Sequence, residues 1–567
     1  MKDYLVPLLF FQRFFLPALL TLLGWAIWRT VWRKDMAVGL ALYLSLVIIV
    51  DVFMNTGIYI PGLEKGSLKY SEACAVILFF NRPQFSARRS IYGIVCGLVG
   101  VYFLLLLVAA FRSTPVLGAV TEFRMRIVPQ IVAFVIAMRG VDQKQDARRF
   151  MHCMMILSLI LSIFVFWDLF FDRALLHSDM LSKPEYYTNR KHGRFGSFFL
   201  NPNYLGAFTV LLFPSVFVTT ISEKVKSARL LGVAAMLALA FCLVETQSRG
   251  PLLATGIVFV LLLLGPGGEM SRTRRMSIFA VFAVVFISLM PGFLEHATER
   301  FDQLDEEMST NSGRTRETIW TYTKRAIADH PLAGIGFGEQ QFVNVIMNDY
   351  HFADDYGQDS LDNPHNSYLQ MTVYAGFPVL FAFLLLNGLL LFRSVRCVVG
   401  NVIAGQTQMI FGLTVGVAGF LTVIYPDMHM FTQNVAPVYW VFFALLLSAT
   451  TFSEAAPIAQ AYENNRSHLR NAGKHLAGQP AAVATRHRGY RDRTAPPGPD
   501  AARKNGAPPP DGEALRPGAH VQQAAVQPAP LPHPVGFRFE RDPSDLLPGR
   551  RSGRVLAPGA DTRRGKC

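Results

Sequence analysis

The sequence predicts an all-α polytopic membrane protein, a bundle of 12 or 13 transmembrane helices with one large, partly helical extracytoplasmic loop. Three observations carry that prediction. Of 567 residues, 51% are hydrophobic and only 17% charged, whereas a soluble domain carries roughly a quarter charged residues. The apolar residues come in runs, such as 91–111 and 279–290, rather than in amphipathic stripes. Runs of about 20 residues match a hydrocarbon core about 30 Å thick.

The spans fall, in order, at 8–28, 36–53, 91–111, 116–138, 152–171, 204–221, 230–245, 251–264, 277–293, 367–392, 409–425 and 435–450. The segment 71–80 is apolar but short, and reads as a thirteenth, tilted or re-entrant piece. Lys2 precedes the first apolar stretch and no small-x-small cleavage site follows, so the start reads as an uncleaved anchor.

Short loops rich in Lys and Arg set the orientation. The clusters are Arg29/Arg33/Lys34, Arg82/Arg88/Arg89, Lys144/Arg148/Arg149, Lys224/Lys226/Arg229, Arg272/Arg274/Arg275 and Arg393/Arg396. With all of them cytoplasmic, alternation works from 91 onward and places 294–366 outside. The first two spans fit only if 71–80 also crosses. The same assignment puts 172–203 and the turn 246–250 on the outer face, beside the long loop.

The organisation is therefore N-terminal transmembrane helices over 1–192, a second membrane region over 193–452 containing the loop 294–366, and a tail over 453–567. The tail holds about half of the chain's 33 prolines and many arginines, with no apolar periodicity. Such a segment buries too little apolar area to offset its ordering entropy. It is expected to be a disordered cytoplasmic tail, with anionic membrane lipids as one partner its charge would suit.

Charge and cysteine usage exclude other classes. The net charge of +14 sits largely in the tail and the short loops, and no basic helix with interleaved aromatics is built for nucleic acid. Of six cysteines, five lie in or beside spans and one is the last residue; no CxxC occurs. A disulfide framework and a thiolate zinc site are not expected. Gly334-Ile335-Gly336-Phe337-Gly338 has no preceding strand, so it reads as a helix-terminating turn rather than a nucleotide loop. The aspartates lack calcium-loop spacing, and HExxH, Walker and Gly-x-Ser-x-Gly motifs are absent.

The residues with chemistry gather on the outer face. Arg249 sits at a hairpin tip, after Gln247 and Ser248 and before Pro251. Such an arginine often serves as an interfacial anchor, but its fork also fits phosphate. Arg314 and Arg316 open a helical pattern over 313–328, with Ile319, Tyr322, Ala326 and Ile327 on one side and Ser312 or Thr315 as cap. Cations at a helix N-terminus oppose the macrodipole unless an anion is present. Arg316 has Glu317 or solvent to pair with, which favours Arg314. His365 follows a proline that stiffens its approach; with arginines nearby its pKa is expected to fall, leaving it neutral and able to accept a proton. Asp354, Asp355, Asp359 and Asp362 would orient it, bind sugar hydroxyls or solvate the loop.

Together these motifs resemble the O-antigen ligase-like membrane family, which includes O-antigen ligases, Wzy-type polysaccharide polymerases and protein O-oligosaccharyltransferases. The resemblance rests on Asn201-Pro202-Asn203, Ser248-Arg249-Gly250, Ser312-Gly313-Arg314 with Trp320, His330-Pro331-Leu332-Ala333-Gly334-Ile335-Gly336 and His365-Asn366-Ser367-Tyr368-Leu369. It covers about 193–450. It implies an inverting glycosyltransferase of the bacterial inner membrane that needs neither metal nor cofactor. The donor would be an undecaprenyl-diphosphate-linked glycan, and the acceptor a lipid A–core, a glycan or a protein. Arg249 and Arg314 would hold the diphosphate and His365 would take the acceptor proton. Arg316, Asn201, Asn203, Asn366, Tyr368 and Asp362 would line the substrate. A lipid-linked glycan transporter is the rival of a different class. It would need ionisable residues near mid-membrane, for which Arg13 and Asp51, near their span ends, are marginal candidates.

Overall fold

Inside a bilayer every backbone donor and acceptor must be satisfied by the protein itself, so long apolar runs of this kind become helices. The computed structural model describes residues 16–53, 69–81, 89–140, 144–171, 194–265, 276, 280, 312–352, 361–400 and 404–451. All of them belong to one compact unit, Met1–Pro480. The expected span 277–293, most of the start of the long loop and the tail 453–567 lie outside the described residues.

The helices run in the order α1 (Leu16–Val31), α2 (Met36–Ser45), α3 (Tyr70–Asn81), α4 (Arg89–Phe111), α5 (Val116–Arg126), α6 (Val128–Gly140), α7 (Lys144–Phe171), α8 (Pro202–Ser222), α9 (Lys226–Thr246), α10 (Arg249–Leu264), α11 (Ser312–Asp329), α12 (Glu339–Asn348), α13 (Ser367–Ala375), α14 (Phe377–Val399), α15 (Ala404–Val423) and α16 (Ala436–Thr451). A π-helical stretch, Leu46–Phe53, continues α2. No strand occurs among the described residues. Among the described residues, five helices contain segments long and apolar enough to cross a membrane: Gly93–Phe111, Gln145–Leu169, Pro202–Ser222, Lys226–Thr246 and Phe377–Val399. Six shorter apolar helices accompany them. The protein is an all-α polytopic membrane protein.

Two expected spans are each broken in two. The run 116–138 is divided at Ile127 between α5 and α6. Pro129 has no N–H to give and its ring opposes a continuous helix, so α5 stops at Arg126. The run 367–392 breaks at Gly376, whose φ of +80° suits glycine, and Pro378 restarts the chain in the first turn of α14.

Acidic residues near span ends act as caps. The Asp35 side chain accepts from Val38 N at the start of α2 and pairs with Arg29 and Arg149. Asp51 accepts from Tyr70 N (3.1 Å) and Ser71 N (3.3 Å), satisfying the first donors of α3.

Helix α8 is the most enclosed of these five helices: most of its apolar stretch is buried, whereas α4 and α14 bury less than half of theirs. Small residues permit its close contacts. A Cβ at Gly416 of α15 would lie 2.3 Å from the Leu211 carbonyl oxygen of α8. At one end of α8, Asn201 caps the first turn. At the other, buried Glu223 accepts from Arg148 and meets His152 Nε2 at 3.1 Å, while Arg229 bonds its backbone oxygen.

The loop is seated through backbone contacts. Ile335 N donates to Val373 O (2.8 Å), Gly336 N to Tyr374 O (3.2 Å) and Phe377 N to Pro331 O (2.7 Å). A Cβ at Gly334, where φ is +62°, would stand 2.5 Å from the Tyr374 carbonyl. The glycine-rich motif is thus a joint pressed against the break at Gly376. It also terminates α11, with Gly334 N bonded to His330 O (3.0 Å). A second anchor is Arg126, which forks onto both Glu339 oxygens (2.7 and 2.6 Å), meets Glu122 at 3.1 Å and reaches Phe431 O at 3.4 Å.

Candidate active site

The turn at 425–429 is the hub of the polar residues at the loop-bearing end. Asp427 is buried, and each of its oxygens is engaged. Its Oδ2 accepts from Asn203 Nδ2 (2.6 Å), its Oδ1 from Met428 N (2.8 Å), and its backbone oxygen from Ser367 Oγ (2.9 Å) and Ser367 N (3.1 Å). Its Oδ1 stands 3.9 Å from His365 Nδ1. On the other edge of that imidazole, Nε2 meets Asp362 Oδ1 at 3.2 Å.

Helix caps and turns hold this corner in place. Asn363 Oδ1 accepts from His365 N (2.8 Å), bending the chain so that His365 takes a φ of +47°. A non-glycine residue held in the left-handed region is the kind of strain that collects at functional sites. Asn366 Oδ1 caps α13 by accepting from Tyr368 N (2.9 Å) and Leu369 N (3.0 Å). Trp320 of α11 donates Nε1–H to Pro364 O (2.8 Å), tying the loop helix to the same turn.

A relay of hydrogen bonds continues from Asp427 toward the hairpin tip. Asn203 Oδ1 accepts from Ser248 Oγ (2.7 Å) and from Arg194 Nη2 (2.8 Å), and Arg194 Nε also reaches Thr246 O (3.2 Å). Asn201 Oδ1 accepts from Asn203 N (2.9 Å). Arg249, the first residue of α10, is exposed beside Ser248. Gly250 admits Pro426 so closely that a Cβ there would come within 3.0 Å of Pro426 Cγ.

The structure therefore brings His365, Asp362, Asn203, Asn201 and the Arg249 turn to one place. Arg316 is exposed on the first turns of α11, and the four residues expected on that helix's apolar side, Ile319, Tyr322, Ala326 and Ile327, are buried. Arg314 lies in the first turn of α11, but its side chain is outside the described residues. Tyr368 points elsewhere: its hydroxyl donates to Leu421 O (2.7 Å) on α15. Asn366 is occupied as a cap.

The expected fall in the His365 pKa is corrected. Burial alone would lower it, but the hydrogen bonds and charges of Asp362 and Asp427 outweigh burial and raise it to about 9. Arginines were expected to set its field; two carboxylates do so instead. Burial pushes Asp427 up, yet His365, the nearby His429 and the Met428 N–H hold it well below the usual carboxylate range. His429 is fully buried, with neither ring nitrogen hydrogen-bonded, and burial lowers its pKa. The proton at this corner therefore resides on His365.

Residues 234–384 match the O-antigen ligase family. The matched stretch carries Arg249, Arg314, Trp320 and His365. No curated relative matches the chain. The ligase-like stretch ends before Asp427 and begins after Arg194 and Asn203, so the fold completes the site from both flanks. Asp427 and Arg194 were missed by sequence reasoning. A signal existed for Asp427: Pro426-Asp427 ends a span on the same predicted outer face as the loop.

Proposed function

We propose that the chain is a membrane glycosyltransferase of the O-antigen ligase type. It moves a glycan from an undecaprenyl-diphosphate donor to an acceptor hydroxyl at the extracytoplasmic face of the bacterial inner membrane. The observation that carries this reading is the His365 imidazole held between Asp362 and Asp427, with Asp427 linked through Asn203 to the turn that bears Arg249.

In this reading the acceptor oxygen attacks the anomeric carbon as the bond from that carbon to the diphosphate oxygen breaks, inverting the centre. The acceptor hydroxyl displaces the exposed Asp362 carboxylate from Nε2, and its proton passes there to neutral His365. Asp427 stabilises the imidazolium that forms and fixes the ring, as a carboxylate does for any histidine base. A raised pKa makes each neutral imidazole a stronger base while reducing its population at neutral pH. Arg249 and Arg314 neutralise the departing diphosphate. The sugar arrives already activated, so the step calls for neither nucleotide nor metal.

The test is transfer of a radiolabelled undecaprenyl-diphosphate glycan by the full chain in native membranes, with EDTA present. Label in lipid A–core supports ligation, label in lengthened glycan supports a polymerase, and label in protein supports O-glycosylation. Donor that changes leaflet without covalent transfer would contradict the enzyme reading in favour of transport.

A further inference from the structure

Tyr425 breaks the pattern of its surroundings. It follows α15, with Val423 and Ile424 fully buried just before it and Asp427 buried just after. Yet Tyr425 itself is 57% exposed. The ring is braced on one side by Trp320, whose centroid lies 5.9 Å away at an interplanar angle of 70°. Trp320 in turn is held by its bond to Pro364 O, one residue from His365. The next residue, Pro426, packs on Gly250, one residue from Arg249. An exposed aromatic ring thus stands on the short segment that touches both the histidine turn and the arginine turn.

We propose that Tyr425 is the binding platform for the sugar ring attached to the donor diphosphate. The inference rests on the glycosyltransferase reading. In an inverting displacement the reacting sugar must span from the leaving diphosphate to the base, which here means from Arg249 to His365. Among the described residues, Tyr425 offers an exposed aromatic face on the segment that touches both of these turns. A pyranose presents a face of polarised C–H groups that complements the electron-rich face of an aromatic ring. Such a surface accepts rings of differing hydroxyl configuration and leaves hydroxyl recognition to polar neighbours, Asp362 being the exposed one. The T-shaped contact with Trp320 restricts the Tyr425 ring and lowers the ordering cost of docking.

The other role for an exposed tyrosine at the end of a membrane helix is an interfacial anchor, and the two roles separate in a binding measurement. Full-length protein in nanodiscs would be titrated with undecaprenyl diphosphate and with undecaprenyl-diphosphate N-acetylglucosamine, using wild type, Tyr425→Ala, Tyr425→Phe and Arg249→Ala. The expected result is that Tyr425→Ala weakens the sugar-bearing lipid about three- to tenfold and leaves the bare lipid within about twofold. Tyr425→Phe should preserve both, and Arg249→Ala should weaken both. Equal effects of Tyr425→Ala on the two lipids, or no effect on either, would overturn the platform. Wild-type protein that binds neither lipid would sink the glycosyltransferase reading itself, and the platform with it. Thermal unfolding of each variant checks that it folds; an exposed ring should be dispensable for that.

Discussion

His365 owes its proton affinity to two carboxylates, and removing one should be visible in the pH dependence. With the pKa at about 9, the free protein carries an imidazolium across neutral pH, so kcat/KM should rise with pH toward about 9. Asp427→Asn should move that rise to lower pH and reduce the plateau by about 10²-fold, measured as initial transfer rates across a pH series. A profile unchanged in both position and height would exclude Asp427 as the partner. Stability follows the same sign. Because the folded pKa lies above the unfolded value of about 6.5, the His365 contribution is fully present below that value and is lost as pH rises through about 9. At this scale the sequence revealed residue types better than partners. His365 and Arg249 stood out as candidates because short motifs surround them. Asp427 did not, because its contact is with a residue 62 positions earlier, and its one sequence signal, a place on the same predicted outer face, does not mark it off from an ordinary turn acid.

The element that most constrains the site is the joint between the glycine-rich motif and the break at Gly376. A Cβ at Gly376 would lie 2.4 Å from the Leu332 carbonyl, and the backbone φ is +80°. Gly376→Ala should therefore lower stability by about 2 kcal/mol or more, read as a drop in the thermal midpoint in detergent. A midpoint unchanged within error would mean that the joint is loose. Arg126 is the second tie, joining Glu339 at the start of α12 to Phe431 O beyond Asp427. Arg126→Ala should speed hydrogen exchange in 339–348 and in 427–431 together; acceleration in only one of them would show that the two segments are not coupled. Hydropathy alone concealed these joints. It sees 116–138 and 367–392 as continuous apolar runs, while Pro129 and the pair Gly376 and Pro378 carry the breaks. The breaks matter because α13 and α14 meet where the loop docks, and α5 presents Arg126.

Across the whole molecule, the all-α class was legible because hydropathic length reports directly on bilayer thickness. The separation of the two ends was legible as well. Basic residues around Glu223 sit at one end of α8, and Asn201 and Asn203 sit at the other, about 30 Å away for a 21-residue helix. In a cysteine-free background, single cysteines at Arg249, Asp362 and Tyr425 should label with an impermeant maleimide added from one side of sealed vesicles, and one at Lys226 only from the opposite side. Labelling of all four from one side would break the orientation. Beyond topology, the fold recruits Arg194 and Asn203 ahead of the family match and Asp427 behind it, which no linear reading of 234–384 contains. The central claim is that this assembled corner transfers a lipid-linked glycan through His365. Single-turnover transfer in EDTA, comparing wild type with His365→Ala at equal amounts of folded protein, tests it most directly. Wild type should transfer without metal and the variant should lose about 10²-fold or more; equal rates would remove His365 from the reaction.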